Sequence, residues 1–278
     1  MPERSRFARV DGTVLHYRFR PGSGRPIVFL NSLGTDSRIW DGVVDALPDD
    51  VPTLRSDQRG HGLSALGPAH SSADAGHAGA ATVERLAEDA LALMDLCGID
   101  DALVCGVSIG GLVAQALALA HPSRVASLVL SNTGARIGDA ALWRDRVEAL
   151  EAGGLEPMAD AVLGRWFPEA FRRERPDELE GYRTMLVRTP VAGYAAACHA
   201  LGACDLRDRV GGIRAPTLCI AGTEDAATPP ALVRELADAI PGARYAELGG
   251  AGHLPCIESP EAVAGYLVAV RRGLGDHA

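Results

Sequence analysis

The sequence predicts an α/β protein with a mostly parallel central sheet flanked by helices and a helical segment inserted between two sheet strands. Three observations carry that expectation. Short continuous apolar runs alternate with helical patterns along most of the chain, which is how parallel strands and their crossover helices read. The rhythm breaks once, between about Gly134 and Gly212, in a stretch rich in Arg, Glu and Trp and without strand runs. The chain has 278 residues and is 47% hydrophobic, enough to bury one large core.

The elements follow in order. FARVDGTVLHYRFR alternates around an Asp-Gly turn and predicts an opening β-hairpin. PIVFL (26–30), VPTLRSD (51–57), ALVCGVS (102–108), ASLVLSN (126–132), PTLCIAG (216–222) and RYAELGG (244–250) all read as buried parallel strands. A helix is expected from Thr82, with Gly98 as its stop, and another in GGLVAQALALAHP, ending at Pro122. Residues 231–240 and 260–272 complete the helices. Residues 65–81, rich in Gly, Ala and Ser, read as a mobile surface loop. The expected organisation is a sheet domain of residues 1–133 and 213–278, with residues 134–212 as a helical cap over the C-terminal ends of the strands. Ligands of open α/β sheets bind at those ends.

A net charge of −9 argues against a nucleic-acid partner, although a local site can still attract an anion. Every basic residue is arginine, which reads as coding bias. Six cysteines occur without a CxxC pair, several in apolar runs, and read as reduced structural thiols. No signal-peptide core opens the chain and no apolar run approaches membrane-spanning length. The expectation is a cytoplasmic protein with no membrane or nucleic-acid partner and possible self-association.

Gly106-Val107-Ser108-Ile109-Gly110 matches G-x-S-x-G between an apolar strand and an apolar helix. A strand–turn–helix setting lifts a serine hydroxyl above the sheet and aims the next backbone N–H, that of Ile109, at a developing oxyanion. Outside such a setting, the same five residues are an N-cap in a Gly-rich turn. A serine nucleophile needs a base, and the base an orienting acid, in the chain order Ser, Asp or Glu, His. His121 reads as a surface group at a helix end. His253, in a Gly-rich loop after the last strand, is placed to be the base. The acid should follow PTLCIAG, where Glu224 and Asp225 both stand; Asp225 is preferred and Glu224 is its rival. An aspartate there could equally cap a turn. The loop after PIVFL should complete the oxyanion hole through Leu33, with Ser32 close behind.

NSLGTDSRIWD, SDQRGHGLS, CGVSIGGLVAQALA, HPSRVASLVLSNTGARIG, RWF, GYAAACHA and AGTEDAATPP together resemble the 3-oxoadipate enol-lactonases, α/β-hydrolases of bacterial aromatic-compound degradation. The resemblance runs from about Arg25 to Pro260. It implies the α/β-hydrolase fold, hydrolysis of an enol-lactone ring, a triad of Ser108, Asp225 and His253, and no cofactor. His199, Gly202, Ala203 and Cys256 depart from the pattern. A substrate carboxylate calls for a cation from the cap, with Arg136 the first candidate and Arg165 the second. Trp143 and Trp166 are candidates for lining the pocket, or for packing the cap. Two other readings stand beside this one: an esterase or lactonase for a different ester, and a non-catalytic receptor on the same fold. A panel of lactones and esters separates the first from an enol-lactonase; covalent labelling of Ser108 by a fluorophosphonate separates the second.

Overall fold

The computed structural model describes residues 3–67 and 82–273. The stretch read as a mobile loop, 65–81, therefore lies outside the described residues from 68 onward, as does the C-terminal tail. The opening hairpin forms as expected: β1 (Arg4–Val10) and β2 (Thr13–Arg20) pair antiparallel around Asp11-Gly12. β2 then pairs antiparallel with β4 (Thr53–Ser56), which runs parallel to β3 (Ile27–Leu30). From β3 the sheet continues in parallel through β5 (Ala102–Val107), β6 (Val125–Ser131), β7 (Thr217–Gly222) and β8 (Arg244–Leu248). The eight strands lie in the order β1-β2-β4-β3-β5-β6-β7-β8.

β3, β5 and β7 are buried at every residue, as continuous apolar runs predict for strands covered on both faces. RYAELGG, read as another such strand, departs from that expectation. β8 is the sheet edge, so each of its residues is exposed or only half-buried.

Helices cover both faces. α1 (Asp41–Ala46) is too short to show a helical period and was not anticipated. α2 (Val83–Leu96) starts where expected, with the Thr82 side chain accepting from the Arg85 N–H at 3.1 Å. α3 (Ile109–Ala120) follows Ser108 directly and is buried almost all round, packed against β5 and β6. Five helices lie between β6 and β7: α4 (Ala140–Gly153), α5 (Ala159–Trp166), α6 (Glu169–Glu174), α7 (Pro176–Val187) and α8 (Val191–Ala203). α4 packs on α8, with Trp143, Val147 and Leu150 buried on one and Tyr194, Cys198 and Leu201 on the other. α9 (Pro230–Ala239), the short α10 (Pro255–Glu258) and α11 (Pro260–Gly273) finish the chain. All six cysteines are free, and all but Cys97 are buried. Among the described residues, no helix is long and apolar enough to cross a membrane.

Candidate active site

The turn between β5 and α3 forces Ser108 into φ 58°, ψ −122°, a conformation that non-glycine residues rarely adopt. Backbone bonds from the Ser108 N–H to the carbonyls of Ser131 (3.1 Å) and Asn132 (3.2 Å) hold it there. Thr133 Oγ1 donates to the Ser108 carbonyl at 2.7 Å. The flanking glycines are sterically required. A Cβ at Gly106 would meet the Gly110 carbonyl oxygen at 2.2 Å, and one at Gly110 would meet that of Leu30 at 2.2 Å.

Asp225 lies in the loop after β7 and is 4% exposed. Its two oxygens divide two tasks that the sequence left as alternatives. Oδ1 caps the turn, accepting the Ala227 and Thr228 N–H groups at 2.7 and 2.9 Å. Oδ2 accepts from Asn132 Nδ2 (2.8 Å) and Thr228 Oγ1 (2.6 Å), and stands 2.9 Å from His253 Nδ1. Glu224 is exposed and takes no part. Burial opposes ionisation of Asp225, but the charge of a protonated His253 and hydrogen bonds from His253, Thr228 and Asn132 outweigh it. They hold the carboxyl down at about 2. An ionised acceptor on Nδ1 makes Nδ1 the donor, which leaves Nε2 as the basic nitrogen.

The depressed Asp225 value carries a stability prediction. The unfolded chain takes up this proton near 3.8, before the folded one does. The stabilisation, about 2 kcal/mol, is therefore full above the unfolded value and is lost as pH falls through the folded one. The gap in urea-unfolding free energy between wild type and Asp225→Asn should narrow on acidification from about pH 6, by roughly half of that amount near pH 3. A gap that stays constant over this range contradicts the assignment.

Ser108 and His253 line one cavity of about 120 Å³ together with Ser32, Leu33, Trp143, Arg146, Arg165, Trp166 and Tyr194. This is below the ~300 Å³ at the lower end for drug-sized ligands, and suits a small molecule. No hydrogen bond joins Ser108 Oγ to His253 Nε2 in this structure; such bonds commonly tighten only when substrate arrives. The Leu33 loop is closed by Thr35, whose hydroxyl donates to the Ser32 carbonyl at 2.8 Å, and is anchored through Asn31, which bonds Trp40 and the Ser56 carbonyl. Neither the Leu33 nor the Ile109 N–H donates to another group of the described residues. The Ser32 hydroxyl is also buried without a partner. Larger hollows exist, one of about 730 Å³ at the opposite ends of the strands, lined by prolines, glycines, Cys97 and the Arg25–Asp101 ion pair, without a serine or histidine.

The cavity corrects one expectation. Arg136 does not line it, although its neighbours Ile137 and Gly138 do; its guanidinium instead sits 3.6 Å from Asp205. Arg165, Trp143 and Trp166 do line it, and Arg146, which was not anticipated, joins them. Arg146 Nη1 donates to Tyr194 Oη at 3.3 Å and its guanidinium lies 5.8 Å from the centre of the Trp143 ring. Trp143 Nε1 donates to the Ile137 carbonyl at 2.6 Å, so its polar edge is satisfied within the insertion. Neither Arg146 nor Arg165 pairs with a carboxylate of the described residues. Burial, and then the like charge of Arg146, lower the Arg165 pKa. His121 pairs with Glu88 at 2.7 Å and His199 is exposed, both away from the cavity.

A second serine–histidine–aspartate chain also forms: His16 Nδ1 lies 2.8 Å from Asp57 Oδ2, and Nε2 lies 3.1 Å from Ser5 Oγ. Ser5 sits within exposed strand β1, with no strained turn to lift it and no helix N-terminus after it. Asp57 also holds the Ser37 and Leu63 N–H groups at 2.8 Å each, which makes this chain a brace between loops. Among the described residues, no cluster of three or more His, Cys, Asp or Glu is arranged to hold a metal ion.

Comparison with known proteins agrees with the fold. Residues 27–266 match the alpha/beta hydrolase family. The chain is 32% identical to 3-oxoadipate enol-lactonase 2 of Acinetobacter baylyi over 93% of both chains. It is 34% identical to 3-oxoadipate enol-lactonase 1 of the same organism, over 87% of this chain and 86% of that one. The crystal structure of the enol-lactonase from Burkholderia xenovorans superposes with a TM-score of 0.87 at 41% identity, covering 95% of this chain and 99% of that one. The chain belongs to the alpha/beta hydrolase family, and it is a carboxylic ester hydrolase acting on lactones or esters.

Proposed function

We propose that the protein opens the ring of 3-oxoadipate enol-lactone to give 3-oxoadipate, with Ser108 as nucleophile, His253 as base and Asp225 as its orienting acid. The observation that carries this reading is the cavity itself, in which Ser108 and His253 share a small space with two arginines that pair with no carboxylate of the described residues. The names of the relatives support the same substrate. In this reading residues 134–212 act as a cap, and Arg146 and Arg165 bind the substrate's free carboxylate.

His253 Nε2 takes the Ser108 proton as Oγ attacks the lactone carbonyl. The Leu33 and Ile109 N–H groups hold the tetrahedral oxyanion, each such donor contributing about 3–4 kcal/mol. Protonated His253 gives that proton to the ring oxygen, which leaves as an enol and tautomerises to the ketone, so ring closure does not compete. Water, deprotonated by His253, then attacks the acyl group, and His253 returns the proton to Ser108 Oγ as the acid leaves. The buried, unpartnered Ser32 hydroxyl is free to donate to the bound lactone.

The decisive measurement is turnover of freshly generated 3-oxoadipate enol-lactone, followed by loss of its ultraviolet absorbance, beside a panel of other lactones and p-nitrophenyl esters. Preference for a neutral ester by a large factor in kcat/KM would assign the cavity to a different substrate. Arg146→Ala and Arg165→Ala should each raise KM for the anionic lactone on the order of 10- to 100-fold, and much less for p-nitrophenyl acetate. Arg136→Ala should change neither. Equal effects of Arg146→Ala on both substrates would remove its assigned role.

A further inference from the structure

Three consecutive backbone N–H groups surround the base, and each is bound. The Gly252 N–H donates to Glu258 Oε2 at 2.8 Å, and the Leu254 N–H donates to Glu258 Oε1 at 3.1 Å. Between them, the His253 N–H donates to the Trp166 carbonyl at 2.8 Å, across to the end of α5. The ring is held separately, at Nδ1, by Asp225 and Thr228. The loop that carries His253, GGAGH, contains three glycines and has little stiffness of its own. What fixes the base must therefore come from outside the loop.

We propose that Glu258 is a positioning residue for the reaction: its carboxylate clasps the two N–H groups that flank His253 and so sets the place of Nε2 above Ser108. The inference rests on the catalytic role of His253 proposed above. A side chain that only capped α10 would need one oxygen, on the Leu254 N–H. The second oxygen instead reaches the residue before the base, outside the helix. A glutamine in the same place offers one acceptor and one N–H₂ group, which cannot accept, so one of the two loop N–H groups loses its partner. Burial pushes the Glu258 carboxyl up to about 7, against the lowering by these two N–H groups and by His253; Asp225 adds to the rise. The clasp therefore weakens on acidification through neutrality.

The test compares Glu258→Gln, Glu258→Asp and His253→Ala with wild type on p-nitrophenyl acetate and on the enol-lactone. Active sites are counted by fluorophosphonate labelling, and folding is followed by circular dichroism and Tm. For Glu258→Gln the expected result is a loss in kcat per site of about 10- to 100-fold with KM nearly unchanged, the signature of a displaced base rather than a lost binding contact. The acidic limb of its kcat profile should move to lower pH, because the group whose protonation loosens the clasp is gone. Glu258→Asp, which keeps the charge but shortens the reach, should fall between the two. A Glu258→Gln enzyme with kcat per site within two-fold of wild type, while His253→Ala is inactive, overturns the role of Glu258 and leaves the triad standing. Full activity of His253→Ala overturns the triad reading itself. If neither Glu258 variant folds, or if both lose Tm while folded sites keep wild-type kcat, Glu258 is a structural strut and the proposal fails.

Discussion

Ser108→Ala is expected to lower kcat on the enol-lactone by a factor on the order of 10⁶ while leaving the fold intact. The size follows from what is removed. The rest of the site would survive: the unpaired Leu33 and Ile109 N–H groups, the two cavity arginines, and the oriented His253. These could still bind the lactone and polarise its carbonyl, but the hydroxyl that the strained turn presents to the cavity would be gone. The fold should be unaffected because the strained turn is held through the Ser108 backbone, by bonds to Ser131, Asn132 and Thr133, and alanine keeps all of them. Circular dichroism and a Tm within a few degrees of wild type check the second half, and steady-state kinetics with fluorophosphonate labelling check the first. Retained lactonase activity, or labelling at another residue, would place the chemistry elsewhere. The Ser5–His16–Asp57 chain makes this a pointed comparison. If hydrogen-bonded order alone made a nucleophile, Ser5 would label too.

Asp225→Asn is the second large effect, with a loss in kcat on the order of 10⁴. The carboxylate does two things that an amide cannot do together. Its Oδ2 keeps the proton on Nδ1 of His253, so that Nε2 is free to accept the proton of Ser108; an asparagine that offers its N–H₂ group to Nδ1 fixes the opposite tautomer. It also offsets the positive charge that His253 acquires during attack, in a place where burial makes that charge costly. KM should change far less than kcat. Glu224→Gln is the matched control: Glu224 is exposed and should tolerate the change with activity near that of wild type. The reverse pattern would mean that the acid had been assigned one residue too far along the chain.

Much of this site was legible because its chemistry is written locally. A nucleophile elbow requires small residues at Gly106 and Gly110, where other backbones pass within 2.2 Å of a notional Cβ, so the pattern survives in five consecutive letters. His253 and Asp225 are picked out by chain order, and the structure places each in a loop after one of two neighbouring parallel strands, 2.9 Å apart. The supporting residues left no such mark. Asn132 reaches Asp225 and the Gly252 carbonyl from the end of a different strand, and Thr228 joins the network through a turn that Asp225 itself caps. Glu258 lies beyond the histidine in a four-residue helix too short to announce itself. Arg136 and Arg146 show the limit most clearly. Proximity to a strand end favours Arg136, yet Arg146 on α4 reaches the cavity, while the Arg136 side chain goes to Asp205 even though Ile137 and Gly138 beside it line the cavity.

By itself, the sequence determined the sheet with its inserted helices and the turn at Ser108, and it singled out His253 and Asp225, which the structure brings within 2.9 Å of each other. These follow from periodicity, glycine sterics and strand order, all properties of neighbouring or ordered residues. Only the tertiary structure decided which arginines face the cavity, which oxygen of Asp225 meets the imidazole, and that Glu258 and Trp166 accept from the backbone N–H groups at and beside His253. Those depend on the angles at which helices cross one another and on where long side chains end, and no local pattern of residues encodes either.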